Sequence, residues 1–173
     1  VQYLLGEPER ALKNYKSAAK LAPDMPEIHT NLAVVLRSQQ KLDDALASVD
    51  TALNLNPHFA DAIFNRGDIL ADLEHTKKAV ACYDRLLTED PNNSAVLINK
   101  AAALQESANP EAALTIYDQI IKTLPDQAEP ISNKANVLVK LACYDDALAA
   151  YDRALKINPR HAQSIYHRAL CFL

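Results

Sequence analysis

The sequence predicts an all-α fold, a solenoid of stacked antiparallel helix hairpins. Three observations predict it. Five prolines, Pro23, Pro57, Pro91, Pro125 and Pro159, stand at one interval of 34 residues, and self-similarity at a fixed step of this size is the signature of a repeat architecture. Small residues keep the same step, at Ala33, Gly67, Ala101, Ala135 and Ala169, and again at Ala11, Ala45, Ala79, Ala113 and Ala147. Glycine is nearly absent, at Gly6 and Gly67 only, while Ala and Leu are abundant, which favours helix over sheet.

Each period divides into two amphipathic helices. In one of them Ile28, Leu32 and Leu36 mark a helical face. Gln39 to Asp43 is a polar break. A second face follows with Ala45, Leu46, Val49, Ala52 and Leu53. Pro57 ends that helix, because proline lacks the N–H and clashes with the preceding turn. Two periods on, Asn109-Pro110 opens the second helix, with Asn as cap and Pro at the first helical position. A large apolar column, Leu36, Leu70, Leu104, Leu138 and Phe172, and a mostly aromatic one, Tyr15, Val49, Tyr83, Tyr117 and Tyr151, supply bulk. The small columns let the two helices of a hairpin approach closely. One hairpin cannot bury its apolar face alone, so neighbours must stack.

These columns resemble the tetratricopeptide repeat family over the whole chain. The resemblance implies a right-handed superhelical α-solenoid forming a single array over residues 1–173. Full repeats are then expected at 26–59, 60–93, 94–127 and 128–161, with a partial repeat at 1–25 and the first helix of a further or capping repeat at 162–173. Two departures from the family pattern are Leu86 and Ile120, which stand where the family usually has Ala and are expected to widen the local helix packing.

Composition narrows the function. Net charge is −4 and the pI is near 5.7, which argues against general nucleic-acid binding, since that needs a basic surface. No apolar run approaches the roughly 20 residues of a membrane span. Cys82, Cys143 and Cys171 are far apart and lack metal-ligand spacing, so free thiols in a reducing, cytoplasmic setting are expected. The histidines, His29, His58, His75, His161 and His167, show no metal spacing either. No phosphate loop and no nucleophile with its base can be picked out. The expectation is a protein without catalytic site, metal or cofactor. The missing initiator Met points to a fragment or a processed chain.

Two columns carry information beyond packing. The first is charged. Asp50, Asp84, Asp118 and Asp152 follow Lys16 in one column, and Arg66, Lys100, Lys134 and Arg168 follow Leu32 in another. Where the acid is missing, at Lys16, the base 16 residues on is missing too, at Leu32. This matching predicts inter-repeat ion pairs Asp50–Arg66, Asp84–Lys100, Asp118–Lys134 and Asp152–Arg168, with basic stems lying over apolar surface. The competing reading is a set of independent, solvated charges.

The second column is Asn31, Asn65, Asn99 and Asn133, ending in His167. Asn is a mediocre helix former, so four at equivalent sites point to a positional reason. The family resemblance implies that this column looks onto a concave groove and grips the backbone of an extended peptide. A carboxamide suits that task, because it both donates and accepts. The alternative is that the carboxamides tie neighbouring repeats together. By the same resemblance Asp68 and Asn136 are expected in the groove. Its middle is expected to be acidic, with Asp61, Asp68, Asp72 and Glu106, and so to favour a ligand with basic character. Phe64, Ala95, Ile98 and Asn99 stand where chaperone-binding members carry a basic carboxylate clamp, so an acidic chaperone tail is not expected to bind through such a clamp. The leading expectation is a protein-interaction scaffold with a protein or peptide partner. The alternatives are the substrate-recognition arm of a larger enzyme, such as an O-linked N-acetylglucosamine transferase-like glycosyltransferase, and a self-assembling solenoid. Self-assembly would act through terminal apolar residues such as Ala169, Phe172 and Leu173.

Overall fold

The computed structural model describes residues 8–106 and 109–172. Residues 1–7 of the expected partial repeat and Leu173 of the expected terminal surface lie outside them. The described residues form ten α-helices. Two compact units divide the chain, Val1–Glu89 and Asp90–Leu173.

The first unit holds α1 (Pro8–Leu21), α2 (Pro26–Ser38), α3 (Leu42–Leu55), α4 (Ala60–Asp72) and α5 (Thr76–Glu89). The second holds α6 (Ser94–Gln105), α7 (Pro110–Thr123), α8 (Ala128–Lys140), α9 (Tyr144–Ile157) and α10 (Ala162–Leu170). Within each unit every helix packs on its neighbours in sequence. In addition α2 touches α4, and α8 touches both α6 and α10. Among the described residues α3 has no such contact with α1 or α5, nor α7 with α9. Within each unit the even-numbered helices therefore approach one another more closely than the odd-numbered ones.

The small columns explain this packing. Ala33, Ala45, Ala52, Ala101, Ala113, Ala135 and Ala147 are fully enclosed, and Val49, Tyr83, Tyr117 and Tyr151 lie buried among them. Gly67 is the extreme case. A Cβ there would lie 2.7 Å from Cε1 of Tyr83, so the ring rests directly on the α4 backbone. Phe64 meets the same ring edge-on, with centroids 6.3 Å apart. Burial pushes the Tyr151 hydroxyl pKa up to about 12 and raises those of Tyr83 and Tyr117 above the ordinary tyrosine range. At the departures from the family pattern, Ile120 is buried and Leu86 half-buried.

Helix ends follow local chemistry. Asn109 accepts the amide of Ala112 at 3.3 Å and caps α7, with Pro110 as its first residue. Asn93 caps α6 by accepting the amide of Val96. The turns inside the hairpins rely on a left-handed residue after the first helix. Gln40, Glu74 and Ala142 have φ of 58°, 59° and 57°. Beyond each, an amide reaches back to the helix: Lys41 to Leu36 O at 3.0 Å, His75 to Leu70 O at 2.8 Å and Cys143 to Leu138 O at 2.9 Å. Glycine is the usual residue at this position, because a Cβ is strained there. Three non-glycine residues therefore hold strained backbone, and Ala142 has no polar side chain to offset it. Ala142→Gly is expected to raise unfolding stability by about 1 kcal/mol, read from the denaturant midpoint. A lower midpoint would contradict this account of the turn.

Candidate functional site

The face available for binding is set by helix geometry. Ala33 and Gly67 point from α2 and α4 into their hairpins, where they are buried. Asn31 and Asn65 come two residues earlier, about 200° around the helix, and so lie on the opposite side. The same relation holds in the second unit for Asn99 and Asn133 against Ala101 and Ala135. Asn31 is exposed, whereas Asn65, Asn99, Asn133 and His167 are half-buried. Asn65 Nδ2 donates to Asp61 O at 2.7 Å, within its own helix. The His167 ring packs edge-on against Tyr166, with centroids 5.2 Å apart.

Beside this row, the first unit carries a polar network that sequence reasoning missed. Arg37 of α2 reaches α4, donating from Nη1 to Asp68 Oδ2 at 2.8 Å and from Nε to Asp72 Oδ2 at 2.6 Å. Tyr83 Oη donates to the other Asp68 oxygen at 2.8 Å. Asp68 is only 8% exposed. Its burial is tolerated because both oxygens are hydrogen-bonded and one faces a guanidinium. Asp68, expected in the groove, thus has its carboxylate engaged by Tyr83 and Arg37, and a part in ligand binding stays a proposal. In the second unit Asn136 stands at the equivalent place, and its Oδ1 accepts from Tyr151 Oη at 2.6 Å.

Three of the acids expected in the middle have basic partners. Asp68 and Asp72 share the single guanidinium of Arg37. Glu106 is held by Lys140 Nζ at 2.6 Å, and that hydrogen bond keeps its carboxyl below the usual range. Of the four acids named, three are spent within the protein. Pattern reading treated each charge by its own column and did not see arginine and lysine reaching across from neighbouring helices.

The charged columns are placed as follows. Arg66 Nε donates to Asp50 Oδ1 at 2.6 Å, linking α4 to α3. Lys134 Nζ donates to Asp118 Oδ1 at 2.6 Å, linking α8 to α7. Arg168 Nε lies 2.6 Å from Asp152 Oδ1, linking α10 to α9. Each joins the second helix of one repeat to the first helix of the next. Asp84 and Lys100 have one member in each unit, and their pairing stays a proposal. Cys82 accepts from Arg66 Nη1 at 3.6 Å. Cys82 is buried, Cys143 exposed and Cys171 between the two.

Among the described residues no cluster of three or more His, Cys, Asp or Glu side chains is arranged to hold a metal. No helix among them is long and apolar enough to cross a membrane.

The Asp50–Arg66 pair is partly solvated, with side-chain exposures of 44% and 33%. A double-mutant cycle through Asp50→Asn and Arg66→Gln is expected to give a coupling of no more than about 1 kcal/mol, shrinking with added salt. A salt-independent coupling of several kcal/mol would mean that the pair is a buried anchor.

The comparisons with known proteins bear on this architecture. Models of the tetratricopeptide repeat match residues 3–63 and 70–137, residues 35–94, and residues 128–161. A tetratricopeptide repeat protein from Parabacteroides merdae superposes with a TM-score of 0.84 at 23% identity, covering 99% of this chain and 68% of that one. TTC0263, a thermophilic protein of the same kind from Thermus thermophilus, gives 0.79 at 19% identity, covering 98% and 93%. YrrB, described as a TPR protein with an unusual peptide-binding site, gives 0.76 at 20% identity, covering 97% and 87%. No curated protein matches by sequence. The helix hairpins, the small and aromatic columns and the family matches lead to one assignment: the chain belongs to the tetratricopeptide repeat family.

Proposed function

We propose that the protein is a non-catalytic interaction scaffold whose even-numbered helices bind an extended segment of a partner protein. The observation that carries the reading is the placement of the asparagine row. Asn31 and Asn65 in one unit, and Asn99, Asn133 and His167 in the other, lie opposite the faces that close the hairpins. A structural asparagine would be expected deep in a helix contact with its polar atoms satisfied there. These are exposed or half-buried. With its amide held on Asp61 O, Asn65 offers Oδ1 as an acceptor for a peptide N–H.

The grip is on backbone, so it tolerates many sequences. Adjacent helices lie roughly 8–10 Å apart and an extended chain advances about 3.3 Å per residue. Within one unit, successive asparagines can then serve about every third ligand residue. Such a module needs no cofactor and performs no bond-breaking step. The peptide-binding site named for YrrB supports a peptide ligand as the class to test first.

Changing Asn65, Asn99 and Asn133 together to Ala is expected to weaken binding to a peptide library at least about tenfold, since each lost hydrogen bond costs about 1 kcal/mol. Fluorescence anisotropy reads the affinity and circular dichroism checks the helices. Unchanged affinity with an intact helical spectrum would eliminate the asparagine row as the ligand grip.

A further inference from the structure

The second unit contains an open cleft of about 630 Å³ walled by α8, α9 and α10. Its size is that of a site for a small ligand or a side chain with its flanking backbone. Val139, Tyr144 and Leu170 give it apolar walls, while Asn136, Lys140 and His167 place polar groups on them. None of its lining residues is an acid.

Comparison of the two units by their repeat gives the cleft a meaning. In the first unit Arg37, Asp68 and Asp72 form a closed ion network. The residues 68 positions later are Gln105, Asn136 and Lys140, and all three line the cleft. The trio changes from one base and two acids to a single base. The first unit closes this place with its own guanidinium, whereas Gln105 instead donates to Glu106 at 3.2 Å. The place is thus open, and the one charged group on its walls is Lys140, whose partner Glu106 lies outside the lining.

We propose that this cleft binds a peptide segment bearing a large apolar side chain next to a carboxylate, with Lys140 as the anion partner and Glu106 as a built-in competitor. The apolar side chain lies against Val139, Tyr144 and Leu170. Lys140 Nζ donates to Gln105 O at 3.2 Å and to Glu106 Oε2 at 2.6 Å, and its third proton is directed to the incoming carboxylate. Because Tyr151 holds Asn136 Oδ1, the Asn136 amide keeps its N–H₂ as the donating half. Glu106 is a side chain 68% exposed, so it can yield its place without unpacking a core.

A peptide is the occupant, not a free small acid, because the cleft is continuous with the asparagine row. His167, the last member of that column, is one of its walls. The inference deepens the scaffold reading and rests on it for the identity of the ligand. One lysine beside an apolar wall is also distinct from the two-carboxylate clamp whose basic residues the sequence lacks.

The test uses two short probes, N-acetyl-Leu-Glu-amide and N-acetyl-Leu-Lys-amide, titrated into the whole chain with labelled Val139 and Leu170 methyl groups. Neither probe can span two rows of asparagine, so the outcome is separate from the triple-asparagine experiment. The expected result is a shift of both methyl resonances, with the acidic probe binding about tenfold tighter than the basic one. Glu106→Gln tightens the acidic probe by removing its competitor. Lys140→Glu reverses the preference, which a purely structural Lys140–Glu106 pair would not do. Equal binding of the two probes, or shifts confined to other methyl groups, would overturn the proposal. So would a Glu106→Gln variant that weakens the acidic probe. A backbone-binding scaffold without this cleft would bind long peptides normally and fail here. A cleft without the scaffold function would pass here and fail with long peptides.

Discussion

Everything in this protein depends on the close approach between the two helices of each hairpin. A small residue on the first helix faces a large ring or branched chain on the second. Gly67 under Tyr83 is the tightest instance, with the ring against backbone. The same columns set which helix faces are consumed and which remain. Once Ala33 and Gly67 are committed to the hairpin, Asn31 and Asn65 have to lie on the far side. The proposed binding face is therefore a geometric consequence of the core and not a separate construction.

Charge is laid over this scaffold at two levels. The pairs Asp50–Arg66, Asp118–Lys134 and Asp152–Arg168 join one repeat to the next at partly exposed positions. At such exposure their energy is modest. The Arg37–Asp68–Asp72 network differs, since it draws a nearly buried carboxylate into the hairpin and holds it with Tyr83. Removing one partner there strands a charge in a poorly solvated place, and that is costly. The two units thus differ at this place, one carrying a closed ion network and the other Gln105, Asn136 and Lys140 around a cleft.

The fold was legible because a period of 34 residues repeats the same packing problem, and prolines and small residues must then recur. The ends of the odd-numbered helices were legible from the proline column, and the start of α7 from Asn109-Pro110. The left-handed residues Gln40, Glu74 and Ala142 were not, because nothing in their side chains advertises a positive φ. The site was only half legible. The asparagine row could be seen as a column, but the use of Asp68, Asp72 and Glu106 could not, because their partners come from other helices. A signal was present all the same. Asp68 and Asn136 each precede a buried tyrosine by 15 residues, at Tyr83 and Tyr151, while Val34 precedes Val49. Polar residues matched to hydroxyls in this way mark a hydrogen bond across the hairpin. Ala102, ahead of Tyr117, breaks the rule, which is why a column read alone does not reveal it.

The central claim is that the ligand is held by its backbone. The most direct measurement compares one bound peptide with two derivatives. In the first, side chains are shuffled around a retained Leu-Glu pair. In the second, the order is kept and alternate backbone nitrogens are methylated, which removes the N–H groups that asparagine oxygens would accept. Backbone recognition predicts that the shuffled peptide binds within about threefold of the parent and the methylated one at least about tenfold more weakly. Retained affinity after methylation, together with loss on shuffling, would show that side chains alone are read and would contradict the account.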